Sequence, residues 1–232
     1  MLDIFTAPGR LFARLRERPV WLLPLALVTL ANLAATAVSI RYVDWPAQRE
    51  VILERIEQAD MTEDQREEAL ARAEQFATNP LVRWGLPLAG GLITQLVAFF
   101  FLALIYNLSL PLCGSATVET SGAPGSYRRV LAVTAHAGLV ALPAAFLRVA
   151  LILLSRSASA TTSLLAAFPG LESGFLQVVL GRLDPFAIWG LVLTGLGLKV
   201  VFDLKGRKSY LLVAAVWLVL TLAFALLAGL GR

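Results

Sequence analysis

Arg182-Leu183-Asp184-Pro185-Phe186-Ala187-Ile188-Trp189-Gly190-Leu191-Val192-Leu193-Thr194-Gly195-Leu196-Gly197-Leu198-Lys199 reads as a helix made for a membrane. Asp184 can cap free backbone N–H groups, and Pro185 loses nothing at the first helical position, where an N–H has no intrahelical partner. The segment then stays apolar for one bilayer-crossing length, interrupted only by small residues, and closes at Lys199. Gly190, Gly195 and Gly197 would weaken a helix in water. In a bilayer they let neighbouring helices approach closely, where packing rather than hydrophobicity drives association. The stretch predicts a transmembrane helix held inside a bundle.

Composition extends that reading to the whole chain. Its 232 residues suffice for one domain or two small ones. Hydrophobic residues make up 58% and the mean hydropathy is +0.74, which places the chain among membrane proteins. Cys113 is the one cysteine, so neither an intrachain disulfide nor a cysteine-rich metal site can form. His136 is the one histidine, which argues against a histidine-based metal centre, and no cofactor is expected. The net charge of +4 does not point to nucleic acid, because the basic residues flank apolar runs and orient them in a membrane.

Taken in order, residues 1–19 predict an amphipathic interfacial helix. Ile4, Phe5, Leu11, Phe12 and Leu15 can share one face, opposite Arg10, Arg14, Arg16 and Arg18. Such a helix suits the headgroup plane and anionic lipid, or it is a basic stop that orients the next span. The apolar run 20–40 is longer than a signal-peptide core and reads as an uncleaved first span. Residues 44–80 turn acidic and helix-prone, a helical hairpin on the membrane surface, with Thr62-x-x-Gln65 fitting a capping box. Further spans are expected at 84–112, 130–154, 185–202 and 209–230, giving one membrane domain over 20–232. Pro87, Gly90, Gly91 and Pro111 mark bends, 113–126 reads as a loop, and 156–183 holds one or two short interfacial helices. The expected fold is therefore all-α and polytopic, with five transmembrane helices, an amphipathic N-terminal helix and an extracytoplasmic helical hairpin.

Charge sets the expected orientation. With the N-terminus inside, inner segments carry Arg10, Arg14, Arg16 and Arg18, then Arg128 and Arg129, then Lys199, Lys205, Arg207 and Lys208. The outer segments are acidic or nearly balanced, so five spans satisfy the positive-inside rule and four or six would break it.

The chemistry-bearing residues are few. Glu67-Glu68-x-x-x-Arg72 matches the glutamate motif of CAAX-type intramembrane proteases, but His136 is the one histidine and the motif lies in a hydrophilic hairpin. No phosphate loop or nucleophile elbow is present, and no enzyme is expected. Polar residues within spans remain: Gln95, Asn107, His136 and Arg148. Arg148 either snorkels outward or pairs with Asp184 at the outer start of span four. His136 packs or relays protons. Gln95 and Asn107, with Asn32, either make interhelical hydrogen bonds or line a polar path.

Asp184-x-Phe186-x-x-Trp189 followed by Leu193-x-x-x-Gly197 resembles the signature of bacterial membrane proteins with the Yip (Ypt-interacting protein) domain. Thr6-Ala7-Pro8 through Pro24, and Ser126-Tyr127-Arg128-Arg129 through His136, are similar to the N-terminal and middle segments of that family. The resemblance implies an integral membrane protein with no known catalytic centre. Eukaryotic relatives associate with Rab-type GTPases, and some bacterial ones accompany ABC-type exporters. A non-enzymatic scaffold or accessory subunit of the bacterial inner membrane is expected, partnered by lipid and other integral membrane proteins. The alternative is a small transporter, channel or lipid-moving protein, which a continuous polar cavity would favour.

Overall fold

The computed structural model describes residues 3–59, 61–113, 126–158, 160–168 and 174–230, and among these every regular element is helical. The chain opens with α1 (Asp3–Thr6) and α2 (Pro8–Glu17), separated by a break at Ala7. The first long apolar helix is α3 (Leu22–Arg41). The surface hairpin follows as α4 (Trp45–Gln58) and α5 (Glu63–Thr78), packed on each other. In the capping box of α5 the Gln65 N–H donates to Thr62 Oγ1 at 3.4 Å, and the Thr62 N–H donates to Gln65 Oε1 at 3.1 Å. The Arg83 guanidinium lies 4.6 Å from the Trp45 ring centroid, tying the hairpin base to the next span.

That span is one rod over 33 residues, Leu81–Cys113, about 50 Å at the helical rise and longer than a bilayer core. It comprises a π-helical turn (Leu81–Gly85), α6 (Leu86–Ser109) and a 3₁₀ turn (Leu110–Cys113). The irregular turns fall beside Pro87 and Pro111, where proline removes backbone donors. The expected loop at 113–126 lies outside the described residues apart from its two ends. A third rod, Ser126–Ser155, joins α7 (Ser126–Ala137) and α8 (Ala141–Ser155) through a 3₁₀ turn (Gly138–Val140).

Residues 156–183 supply a 3₁₀ turn (Leu164–Ala167) and α9 (Phe175–Arg182), which packs on the last helix, with Arg182 4.8 Å from the Phe224 ring centroid. The quoted stretch forms α10 (Pro185–Val201), bent 64° from α9, and α11 (Lys208–Leu230) returns antiparallel to it. Four rods are long and apolar enough to cross a membrane, and α9 with α10 supplies a fifth when that bent pair counts as one span. The molecule is an all-α, multi-pass membrane protein.

Two faces of the bundle differ. The turn face carries the start of α3, the end of α6, the start of α7 and the α10–α11 turn, where Gly206 sits at φ 70°. The hairpin face carries α4, α5, the 156–183 segment and the start of α10. The hydrophobic core fills the half toward the turn face: Tyr106 and Leu110, Val130 and Val133, Leu198 and Val201, and Val213 are all buried there.

Into that core the N-terminal helix inserts its apolar face. Ile4, Leu11, Phe12 and Leu15 are buried, Phe12 at 0% exposure, against α10 and α7. The sequence expected this face to meet lipid. Instead, the groove between α7 and α10 takes it, because Gly197 opens space there. A Cβ on Gly197 would lie 2.5 Å from Val133 Cγ1 and 2.8 Å from Phe12 Cε1. The arginines stay on the exposed side, and Arg14 pairs with Asp3 of α1.

Candidate functional site

Small side chains hollow the bundle toward its hairpin face. A cavity of about 550 Å³ lies between α3, the third rod, α10 and the loop residues 158 and 160–163. Ten of its eighteen lining residues are alanine or glycine, among them Ala137, Ala141, Ala144, Ala187 and Gly190. With so little side-chain volume on three facing segments, the helices cannot close the space at their backbone separation.

The charged residues of the wall are Arg148 from α8 and Asp184 at the start of α10. Asp184 caps α10: Oδ1 accepts from the Phe186 N–H at 2.7 Å and the Ala187 N–H at 3.3 Å. Its Oδ2 accepts from the Thr162 hydroxyl. The loop is pinned further by the Leu164 N–H donating to the Leu183 carbonyl at 2.9 Å and by a 3.0 Å contact between the Thr161 and Ser163 hydroxyls. The expected Arg148–Asp184 ion pair does not form. Among the described residues the ion pairs are Arg14–Asp3 and Arg72–Glu68, and no hydrogen bond engages the Arg148 guanidinium. The carboxylate of Asp184 is fixed in place by its own helix and by Thr162, out of ion-pair reach of Arg148, which is exposed to the cavity.

A smaller cavity of about 240 Å³ shares Asn32 and Gly138 with the first and continues between α3, α6 and α7. Here the intramembrane amides meet. Asn32 Nδ2 donates to Gln95 Oε1 at 3.1 Å, and Gln95 Nε2 donates to Thr29 Oγ1 at 3.1 Å, joining α3 to α6. Asn107 lies elsewhere, accepting from the Ser126 hydroxyl at 2.8 Å where α6 meets α7. His136, 4% exposed, donates from Nδ1 to the Ala132 carbonyl of its own helix at 2.9 Å. Gln95→Leu strips Asn32 of its acceptor and is expected to cost about 0.6–1.7 kcal/mol, the range of interhelical bonds in membranes. Asn32→Leu with Gln95→Leu should recover part of that loss, because both partners are then gone. Thermal unfolding in detergent reads both, and an unchanged midpoint for Gln95→Leu would remove the network's structural role.

The motif residues of α10 divide between two duties. Asp184, Phe186 and Gly190 line the large cavity. Gly195 and Gly197 face other helices: a Cβ on Gly195 would lie 2.5 Å from Tyr210 Cδ1 of α11, and Gly197 seats Phe12 and Val133. Trp189 meets Phe5 of α1 edge-on, with ring centroids 5.6 Å apart. The motif is thus the seam where the N-terminal helix, α7 and α11 join.

A model of the Yip1 domain matches residues 2–227, a region that includes the docked N-terminal helix and the spans together. The chain belongs to the Yip1 domain family. It is similar to membrane protein YknW of Bacillus subtilis (strain 168), 23% identical over 232 residues that cover 99% of this chain and 90% of that protein. No solved structure matches. Within this Yip1 domain, the described residues hold no group of three or more His, Cys, Asp or Glu side chains placed to share a metal.

Sequence reasoning singled out Asp184 and Arg148 but missed the cavity that both line. Thr161, Thr162 and Ser163 form a polar patch in a segment without clear periodicity. The alanines of α7 and α8 repeat at helical spacing, and that stripe of small residues was the available signal.

Proposed function

We propose that this protein is a non-enzymatic scaffold or accessory subunit of the bacterial inner membrane, assisting an ABC-type exporter or organising the membrane around one. The observation that carries this reading is the setting of α6. Ala103 and Tyr106 are its buried residues, whereas Ile93, Val97, Phe101, Leu104 and Leu108 are left uncovered by the rest of the chain. Its polar residues Gln95 and Asn107 turn inward to hydrogen bonds within the bundle. A face of this kind suits packing against helices of another membrane protein or against lipid. Arg10, Arg14, Arg16 and Arg18, on the exposed side of the N-terminal segment, would meet anionic headgroups at the cytoplasmic surface. The N-terminus is then cytoplasmic and the C-terminus extracytoplasmic.

Purification from native membranes in mild detergent, followed by mass spectrometry, tests the reading. Recovery of an exporter's subunits, reduced by Val97→Lys on α6, is the expected result. Recovery of the chain alone, or tags on the two termini reporting the same side, would overturn it.

A second reading, a lipid- or solute-moving protein, draws on one observation: the two cavities share Asn32 and Gly138 in their walls. Transport by the purified chain in liposomes, abolished by Gly138→Leu, is the outcome that would favour it over the scaffold.

A further inference from the structure

We infer that the large cavity at the hairpin face is a binding site for a zwitterionic phospholipid headgroup, one carrying a phosphate beside a primary ammonium. This goes beyond the scaffold reading and does not depend on it. Arg148 projects from an otherwise apolar helix, and no ion pair or hydrogen bond engages its guanidinium among the described residues. A lone cation within a membrane span is costly unless an anion meets it. Guanidinium geometry matches the paired oxygens of a phosphate.

The same wall also carries a carboxylate, and this decides the headgroup. A carboxylate offers about four acceptor positions. Three donors approach Asp184: the N–H groups of Phe186 and Ala187 and the Thr162 hydroxyl. One position is left for an ammonium. A singly anionic headgroup without an amine would satisfy Arg148 but bring Asp184 a neutral hydroxyl donor at most, weaker than a charged one. A zwitterion answers both charges. The volume, about 550 Å³, lies within the range of roughly 300–1,000 Å³ typical of small-molecule sites.

The test uses the full chain reconstituted in vesicles of equimolar phosphatidylethanolamine and phosphatidylglycerol, then released for native mass spectrometry of retained lipid. Phosphatidylethanolamine should be retained over phosphatidylglycerol by about tenfold, the worth of one charge-assisted contact. Arg148→Ala should abolish the preference, and Arg148→Lys should keep part of it as a point charge. Gly190→Leu fills the cavity from a position where an added Cβ meets nothing within 4 Å. It should abolish the preference while leaving the thermal midpoint unchanged or higher, so loss of binding is separable from loss of folding. Equal retention of the two lipids by the unaltered chain would overturn the proposal, as would a preference that survives both Arg148→Ala and Gly190→Leu. Soluble O-phosphoethanolamine forms the remaining arm. If it binds the lipid-free chain through Arg148 as tightly as the lipid does, the ligand is a free phosphate compound and the lipid assignment falls.

Discussion

Phe12→Ala is expected to destabilise the protein by about 3–5 kcal/mol, the usual cost of truncating a fully buried aromatic side chain. Phe12 is wholly enclosed and its ring rests against the Gly197 backbone position, with Val133 of α7 on the same seam. Removing the ring leaves a hole among side chains that cannot collapse into it, since α7 and α10 are fixed by their own packing. Loss of the anchor should also free the whole N-terminal segment. Trypsin would then cleave at Arg10, Arg14, Arg16 or Arg18 at concentrations that leave the unaltered chain intact. Thermal unfolding in detergent and limited proteolysis read the two effects. If Phe12→Ala matched the exposed control Ala13→Ser in both, the N-terminal helix would not be part of the folded core.

Substitution of the glycine beneath Phe12 should also be damaging, though less so, by the opposite mechanism. Gly197→Ala adds one methyl group where two neighbours stand within 3 Å. Overpacking of this kind costs about 1–3 kcal/mol, more than the gain of about 1 kcal/mol from removing a helical glycine. Gly190→Ala, two helical turns earlier on nearly the same face, meets open space and should be neutral or stabilising. The opposite signs of these two changes in one helix are the prediction. Equal midpoints for the two variants would show that the close approach at Gly197 does not exist in the folded protein. Because Phe12 and Gly197 touch, Phe12→Leu combined with Gly197→Ala should lose less than the sum of the single changes.

Much of this architecture could be read in advance, and the exceptions share a cause. The spans follow from apolar length, and the start of α10 from Asp184-Pro185, because both are local properties. The capping box at Thr62 and Gln65 is local too. The destination of the N-terminal apolar face is not local. Ile4, Leu11, Phe12 and Leu15 define a stripe, and a stripe suits a headgroup layer as well as a protein groove. Gly197 tips the choice, and it is remote in sequence. Arg148 and Asp184 line one cavity, toward the outer ends of the two spans on which helical counting put them. Whether they pair depends on Thr162, whose loop lacks any periodic pattern that would place it. The cavity had no local signature beyond small residues, since a void is a relation among three segments.

The seam between Phe12 and Gly197 also has a consequence for biogenesis. During synthesis the ribosome adds about 185 residues after Phe12 before Gly197 exists, which takes roughly 10–40 s at 5–20 residues per second. Throughout that interval the earliest-made helix has no protein groove to occupy. Its basic side and greasy side together suit a temporary berth on the membrane surface, from which it moves inward once α10 arrives.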